Sequence, residues 1–168
     1  MDSTKVVFLT NLADVLIDKV LSYAPDGYEI VVLGKSSTEE NRISEARSAD
    51  FLICYGNNPS DDVLRSMERC RLVQTLAAGY DSMNLDLITK LGIPLANNGG
   101  ANSWAVSDQA ILLILAIYKQ LLVCNTSTRS GRWLEPITGQ NTFELANKKV
   151  GILGIGNIGK QVAKRVQA

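Results

Sequence analysis

Residues 148–159 read KKVGILGIGNIG, and the rest of the chain is best interpreted outward from them. Lys148 to Leu153 is a short, largely apolar run of the kind used by a buried strand. It leads directly into Gly154-Ile155-Gly156-Asn157-Ile158-Gly159, and Lys160 to Val166 then follows a helical pattern. G-x-G-x-x-G between a strand and a helix gives each glycine its own task. Gly154 permits a tight turn, Gly156 lets a pyrophosphate approach where a Cβ would stand, and Gly159 lets the helix pack close to the strand. The N–H groups at the head of the helix, at Asn157, Ile158 and Gly159, then meet the anion. The alternative use of the same glycines is a packing turn with no ligand. The acidic residue that reads the ribose lies about 20 residues past such a motif, beyond Ala168, so a dinucleotide is expected and both NAD and NADP remain open.

Upstream, β-rich runs alternate with helical patterns. Lys5–Leu9, Glu29–Leu33, Asp50–Cys54, Leu72–Leu76 and Ile93–Ala96 read as strands. Leu12–Leu21, Thr38–Arg47, Ser60–Met67 and Leu85–Lys90 read as the helices between them. Strands joined by helices of this length imply crossover connections and a mostly parallel sheet. Residues 1–100 are therefore expected to form a doubly wound α/β domain. Asn97-Asn98-Gly99-Gly100 is a cluster of turn formers that marks a boundary, and 101–168 begins a second domain. Asn102 or Ser103 offers an N-cap oxygen to the next helix.

Ser103 to Val123 reads as one long helix, apolar on nearly every side. Such a helix is expected to be buried between domains or in a subunit interface, with a core helix inside one domain as the equal alternative. Asn125 to Asn147 is polar and aperiodic, a surface excursion with Trp133 and Phe143 as anchors.

The 168 residues are 46% hydrophobic and 20% charged, with 17 basic and 17 acidic residues and no histidine. That composition excludes disorder as the general state. Its zero net charge gives no electrostatic footprint for nucleic acid or an anionic membrane. Cys54, Cys70 and Cys124 are too scattered for a metal site, and without histidine a Cys/His zinc centre is excluded. They read as reduced, mostly buried thiols. The N-terminus MDSTKVVFLT lacks the pattern of a signal peptide, and the apolar stretch Ala110–Tyr118 is far short of a membrane span. A cytoplasmic location is expected. Because a nucleotide-binding βαβ unit needs its second strand, the chain is also expected to be the N-terminal part of a longer enzyme.

Taken in order, several segments resemble the D-isomer-specific 2-hydroxyacid dehydrogenases. They are Leu76-Ala77-Ala78-Gly79-Tyr80-Asp81, Gly92-Ile93-Pro94-Leu95-Ala96-Asn97, Gly100-Ala101-Asn102, Ala105-Val106-Ser107-Asp108, Arg129-Ser130-Gly131-Arg132-Trp133 and the glycine motif. The resemblance implies a flavodoxin-like substrate domain followed by the start of a Rossmann NAD(P)-binding domain. It implies hydride transfer between nicotinamide and the CH–OH carbon of a small 2-hydroxy or 2-oxo acid, and a homodimer formed through the 103–123 region. It further implies that amides around Ala78 and Gly79 bind the substrate carboxylate, that the loop at Tyr55 and Gly56 covers it, and that Val106 lines the nicotinamide pocket. Without the family, these are ordinary turn and core residues.

The departures are informative. The family's arginine, histidine and acid lie downstream of the glycine motif, so no catalytic residue is expected within this chain and the chain alone is expected to be inactive. Gln109 stands where many relatives carry histidine, and Asp108 replaces a common glutamate. Gln cannot exchange a proton near neutral pH, and Asp108 is expected to be a solvated or helix-capping residue. A non-catalytic NAD-sensing or co-repressor-like module of the same fold is the alternative function.

Overall fold

The computed structural model describes residues 3–133 and 139–167. It divides into two compact units, Met1–Gly99 and Gly100–Ala168.

In the first unit, β1 (Thr4–Thr10), β2 (Tyr28–Leu33), β3 (Phe51–Tyr55), β4 (Leu72–Thr75) and β5 (Leu95–Ala96) form an all-parallel sheet in the order β2-β1-β3-β4-β5. Between them run α1 (Asp14–Leu21), α2 (Glu39–Arg47), α3 (Asp61–Ser66) and α4 (Leu85–Lys90). The strand order reverses its sense between β1 and β3, two parallel neighbours, which makes the gap between their carboxyl ends the switch point of the sheet. Thr38, Ser60 and Asn84 cap α2, α3 and α4 by accepting the backbone N–H three residues on, each cap worth about 1 kcal/mol.

Strand alternation sorts the core. Val7, Leu9, Leu33, Leu52, Cys54 and Val73 are buried against Ala49, Leu64, Met83, Leu87 and Ile88. Burial of each large aliphatic side chain here contributes about 1.5–3 kcal/mol. The opposite registers, Val6, Phe8, Ile30, Phe51, Ile53 and Leu72, line an apolar cavity of about 430 Å³ together with Val20 and Leu21 of α1.

In the second unit, α5 (Ser103–Tyr118), α6 (Leu121–Arg129), a 3-10 turn (Gly139–Asn141) and α7 (Asn157–Val166) are joined by irregular segments. Four expectations are corrected there. The single helix over Ser103–Val123 is two helices bent by 65°, and Gln120 sits at the break with φ 48°. The returning chain competes for the end of α5: Phe143 N donates to Tyr118 O at 3.0 Å, and Gln120 Nε2 donates to Asn141 O at 2.9 Å. α6 then runs on into the stretch expected to be irregular.

Lys148–Leu153 forms no ladder, because all strands among the described residues belong to the first unit and a strand needs a hydrogen-bonded neighbour. Asn102 is the N-cap of α5 by backbone alone, with no side-chain capping bond, and Ser103 is buried inside the first turn. Phe143 anchors its segment edge-on to Tyr118 at 5.7 Å, and Trp133 is 76% exposed. The remainder of that excursion, 134–138, lies outside the described residues. No single helix among those described is long and apolar enough to cross a membrane; α5 and α6 reach that length only as the bent pair.

Candidate functional site

The carboxyl edge of the sheet gathers the first group of candidate residues. Two buried threonines end β1 and β4 and turn their hydroxyls to the loops that follow: Leu12 N donates to Thr10 Oγ1 and Ala77 N to Thr75 Oγ1, each at 3.1 Å. Tyr55 ends β3 and Gly56 follows it at the switch point, and both are exposed. Gly56 has φ +68°, a conformation that favours glycine. Asn11 holds this turn from β1, its backbone N–H donating to Tyr55 O at 3.2 Å and its side-chain amide to Gly56 O.

Ala78 and Gly79 follow β4, next to β3 in the sheet, and are exposed. Among the described residues neither of their N–H groups donates a hydrogen bond. Asn58 Nδ2 donates to Ser82 Oγ at 2.6 Å, tying the Tyr55–Gly56 loop to the Ala78–Gly79 loop. The structure therefore brings these four residues to one edge, at the position where open α/β sheets bind ligands.

In the second unit the glycine turn has the local geometry its spacing demands. Gly154 has φ +92°. A Cβ on Gly156 would meet nothing within 4 Å, so the backbone is open to close approach from outside. Gly156 is the N-cap of α7, which leaves the first-turn N–H groups at Asn157, Ile158 and Gly159 without intrahelical acceptors. Asn157 lies against the backbone at Gly100, where a Cβ would stand 2.9 Å from its Nδ2 and where φ is +88°. Val106 is partly exposed on α5, and Gln109 is exposed.

Asp108 is not merely solvated. It accepts from Arg165 Nε, and the Arg165 guanidinium lies 5.0 Å from the centre of the Trp104 ring. Residues 6–165 match the D-isomer specific 2-hydroxyacid dehydrogenase family, catalytic domain. This chain belongs to that family.

Several members of the 2-hydroxyacid dehydrogenase family are similar to it. A glyoxylate reductase from Aeropyrum pernix is 34% identical over 131 residues, which cover 74% of this chain and 39% of that enzyme. A solved NADPH-dependent glyoxylate/hydroxypyruvate reductase from Sinorhizobium meliloti superposes with a TM-score of 0.78 at 21% identity, covering 99% of this chain and 51% of that one. The NAD complex of a formate dehydrogenase from Staphylococcus aureus gives 0.74 at 21% identity, covering 97% and 53%. The fold is thus that of 2-hydroxyacid dehydrogenases, whose solved complexes carry NAD or NADPH. The chain spans about 39% of the curated reductase and about half of each solved relative.

Sequence reading missed the residues that hold the loops. Asn11, Asn58, Asn97 and Asn98 all donate to loop carbonyls or hydroxyls. The available signal was their position: each follows a strand end by a few residues, where asparagine favours turn-stabilising bonds.

Proposed function

We propose that this chain supplies the substrate domain, over residues 1–100, and the opening of the dinucleotide-binding domain, over 101–168, of an NAD(P)-dependent dehydrogenase acting on a D-2-hydroxy acid. The observation that carries the reading is the turn at Gly154–Gly159. It combines a positive-φ glycine, an open approach at Gly156 and free N–H groups at the head of a ten-residue helix. These features fit a pyrophosphate, and Asn157, Ile158 and Gly159 would donate to it. When bound, the nicotinamide supplies the hydride acceptor or donor, and the protein supplies orientation and electrostatics.

On the substrate side, the N–H groups of Ala78 and Gly79 would take the carboxylate, with Tyr55 and Gly56 as the covering loop. Val106 would lie beside the nicotinamide. The substrate class is a small 2-hydroxy or 2-oxo acid.

The family's reaction needs a histidine to exchange the hydroxyl proton, and this sequence contains none. On this reading the chain does not turn over by itself. Leu112, Leu113, Ile117, Leu121 and Leu122 are exposed on α5 and α6, which supports a homodimer formed through this region. The same absence of histidine and the same surface favour, as a second reading, an NAD-sensing module that works by association. Titration of the chain with NADH, followed by an NADH-oxidation assay with glyoxylate and hydroxypyruvate, tests the proposal. Binding without oxidation is expected, and sedimentation should give a dimer at micromolar concentration. Failure to bind NADH would remove the dinucleotide reading, and turnover would remove the claim of inactivity.

A further inference from the structure

We infer that Asn97 is a positioning residue for the substrate carboxylate, its side-chain amide gripping the Ala78–Gly79 peptide from behind so that the Gly79 N–H is presented to the ligand. The inference rests on the proposed carboxylate site at Ala78 and Gly79 and deepens it.

Three consecutive peptide groups follow β4, and the segment after β5 holds the carbonyl of each. Leu76 O accepts from Asn98 Nδ2 at 3.4 Å. Ala77 O accepts from Asn98 N at 3.0 Å. Ala78 O accepts from Asn97 Nδ2 at 2.7 Å, the shortest of the three. No peptide in the described chain is cis, so the N–H of each group points away from its own carbonyl. Holding the Ala77 and Ala78 oxygens toward Asn97 and Asn98 therefore turns the Ala78 and Gly79 N–H groups to the opposite side, where neither has a partner among the described residues. A donor on the Ala78 oxygen also polarises that peptide and strengthens Gly79 N–H as a donor to an anion.

The sequence places Asn97 for this task. Gln74 pairs with Ala96 in the last register of the β4–β5 ladder, so residue 97 is the first beyond it, level with Thr75 at the end of β4 and beside the loop that leaves it. Its side chain is short enough to reach the neighbouring loop and presents a neutral donor. An aspartate there would set an acceptor against the Ala78 oxygen and add a negative charge beside an anion site. Asn97 is exposed and contributes nothing to the core, so its bond orients the loop rather than holding the domain together.

The test is backbone amide NMR on the full chain, titrated with glyoxylate, for the wild type, Asn97→Leu and Asn97→Asp. In the wild type the Ala78 and Gly79 amides should shift and saturate. In N97L the Gly79 resonance should move even without ligand, and glyoxylate should bind about fivefold more weakly, while the Val73 and Gln74 ladder amides stay in place. N97D should lose binding at neutral pH and regain part of it once acid protonates the new carboxyl, which then donates again. Wild-type Gly79 shift and affinity in N97L would overturn the role, as would general collapse of its spectrum, since an orienting residue is not needed for folding. If the wild-type Ala78 and Gly79 amides ignore glyoxylate while N97L still moves Gly79, the carboxylate site is what fails, and the positioning role falls with it.

Discussion

Gly159 passes so close to Gly154 that a Cβ built on it would stand 2.1 Å from the Gly154 carbonyl oxygen. No side-chain rotation relieves that contact, because one partner is backbone and the other is the first side-chain atom. Gly159→Ala should therefore displace α7 and destabilise the second unit by about 1–3 kcal/mol, and NADH affinity should fall with it. Gly156 behaves differently, since its Cβ would enter open space. Gly156→Ala should leave the thermal midpoint nearly unchanged and still weaken NADH binding, by obstructing the pyrophosphate. Paired thermal melts and NADH fluorescence titrations check both. Unchanged NADH affinity in G156A would sink the pyrophosphate assignment.

Arg165 fastens α7 to α5 by two contacts, the Asp108 carboxylate and the face of Trp104. The Arg165 side chain is only 20% exposed, whereas Asp108 is 68% exposed. The ion pair is therefore largely screened, and stacking with burial of the arginine stem carries more of the effect. Arg165→Ala should cost about 1 kcal/mol, Asp108→Asn less than about 0.5 kcal/mol, and Arg165→Lys should fall between because it keeps charge but loses the planar face. Urea denaturation of the three variants checks the order. A larger loss in D108N than in R165A would reverse this account.

The α/β architecture was legible because continuous apolar runs such as those in Lys5–Leu9 and Asp50–Cys54 stand out between helical patterns, and such strands announce themselves without partners. The bend at Gln120 was not legible. It is set by Phe143 and Asn141 returning to the end of α5, a tertiary contact that outweighs a continuous apolar pattern. Lys148–Leu153 shows the converse. The local sequence is that of a strand, but a strand is a property of a pair, and the second unit offers no neighbour among the described residues. At the candidate site, the positive-φ glycines were readable because only glycine fits them cheaply. The asparagines that orient the loops were not, since their bonds cross from one strand end to the next.

Asp50 sits at the amino end of β3, far along the strands from the candidate site. Its carboxylate accepts from Lys5 N at 2.8 Å and from Arg69 Nη2 at 2.7 Å, with Arg71 nearby at 4.0 Å. The Arg69 hydrogen bond first, then the Lys5 amide, hold its pKa below the ordinary aspartate value of 3.8. A folded-state pKa below the unfolded one means that the unfolded chain binds the proton more readily. The stabilisation is therefore complete above 3.8 and disappears as pH falls through the lower folded value. Asp50→Asn should lower stability at neutral pH and flatten the acid limb of the stability profile. Chemical denaturation from neutral pH down to roughly pH 2, through the range in which aspartate titrates, checks this, and an acid limb as steep in D50N as in the wild type would contradict it.

Cys54 is fully buried at the end of β3, immediately before the Tyr55–Gly56 loop, with its Sγ 3.6 Å from Gln74 O. Burial pushes its thiol up to about 11, against a smaller opposing pull from a hydrogen bond with Thr75. The folded state therefore favours the neutral thiol, and this contribution to stability is complete below the ordinary value of 9.0 and lost as pH rises through about 11. Two consequences can be measured with a thiol reagent and mass mapping of the labelled sites. At mildly alkaline pH Cys54 should label far more slowly than Cys124, because reagent reaches it only when the sheet edge opens and little thiolate forms while it is closed. A carboxylate ligand that binds the Ala78–Gly79 loop, tied to the Tyr55 loop through Asn58 and Ser82, should slow Cys54 labelling further and leave Cys124 unaffected. Glyoxylate that protects neither thiol, or both equally, would place its binding away from this edge of the sheet.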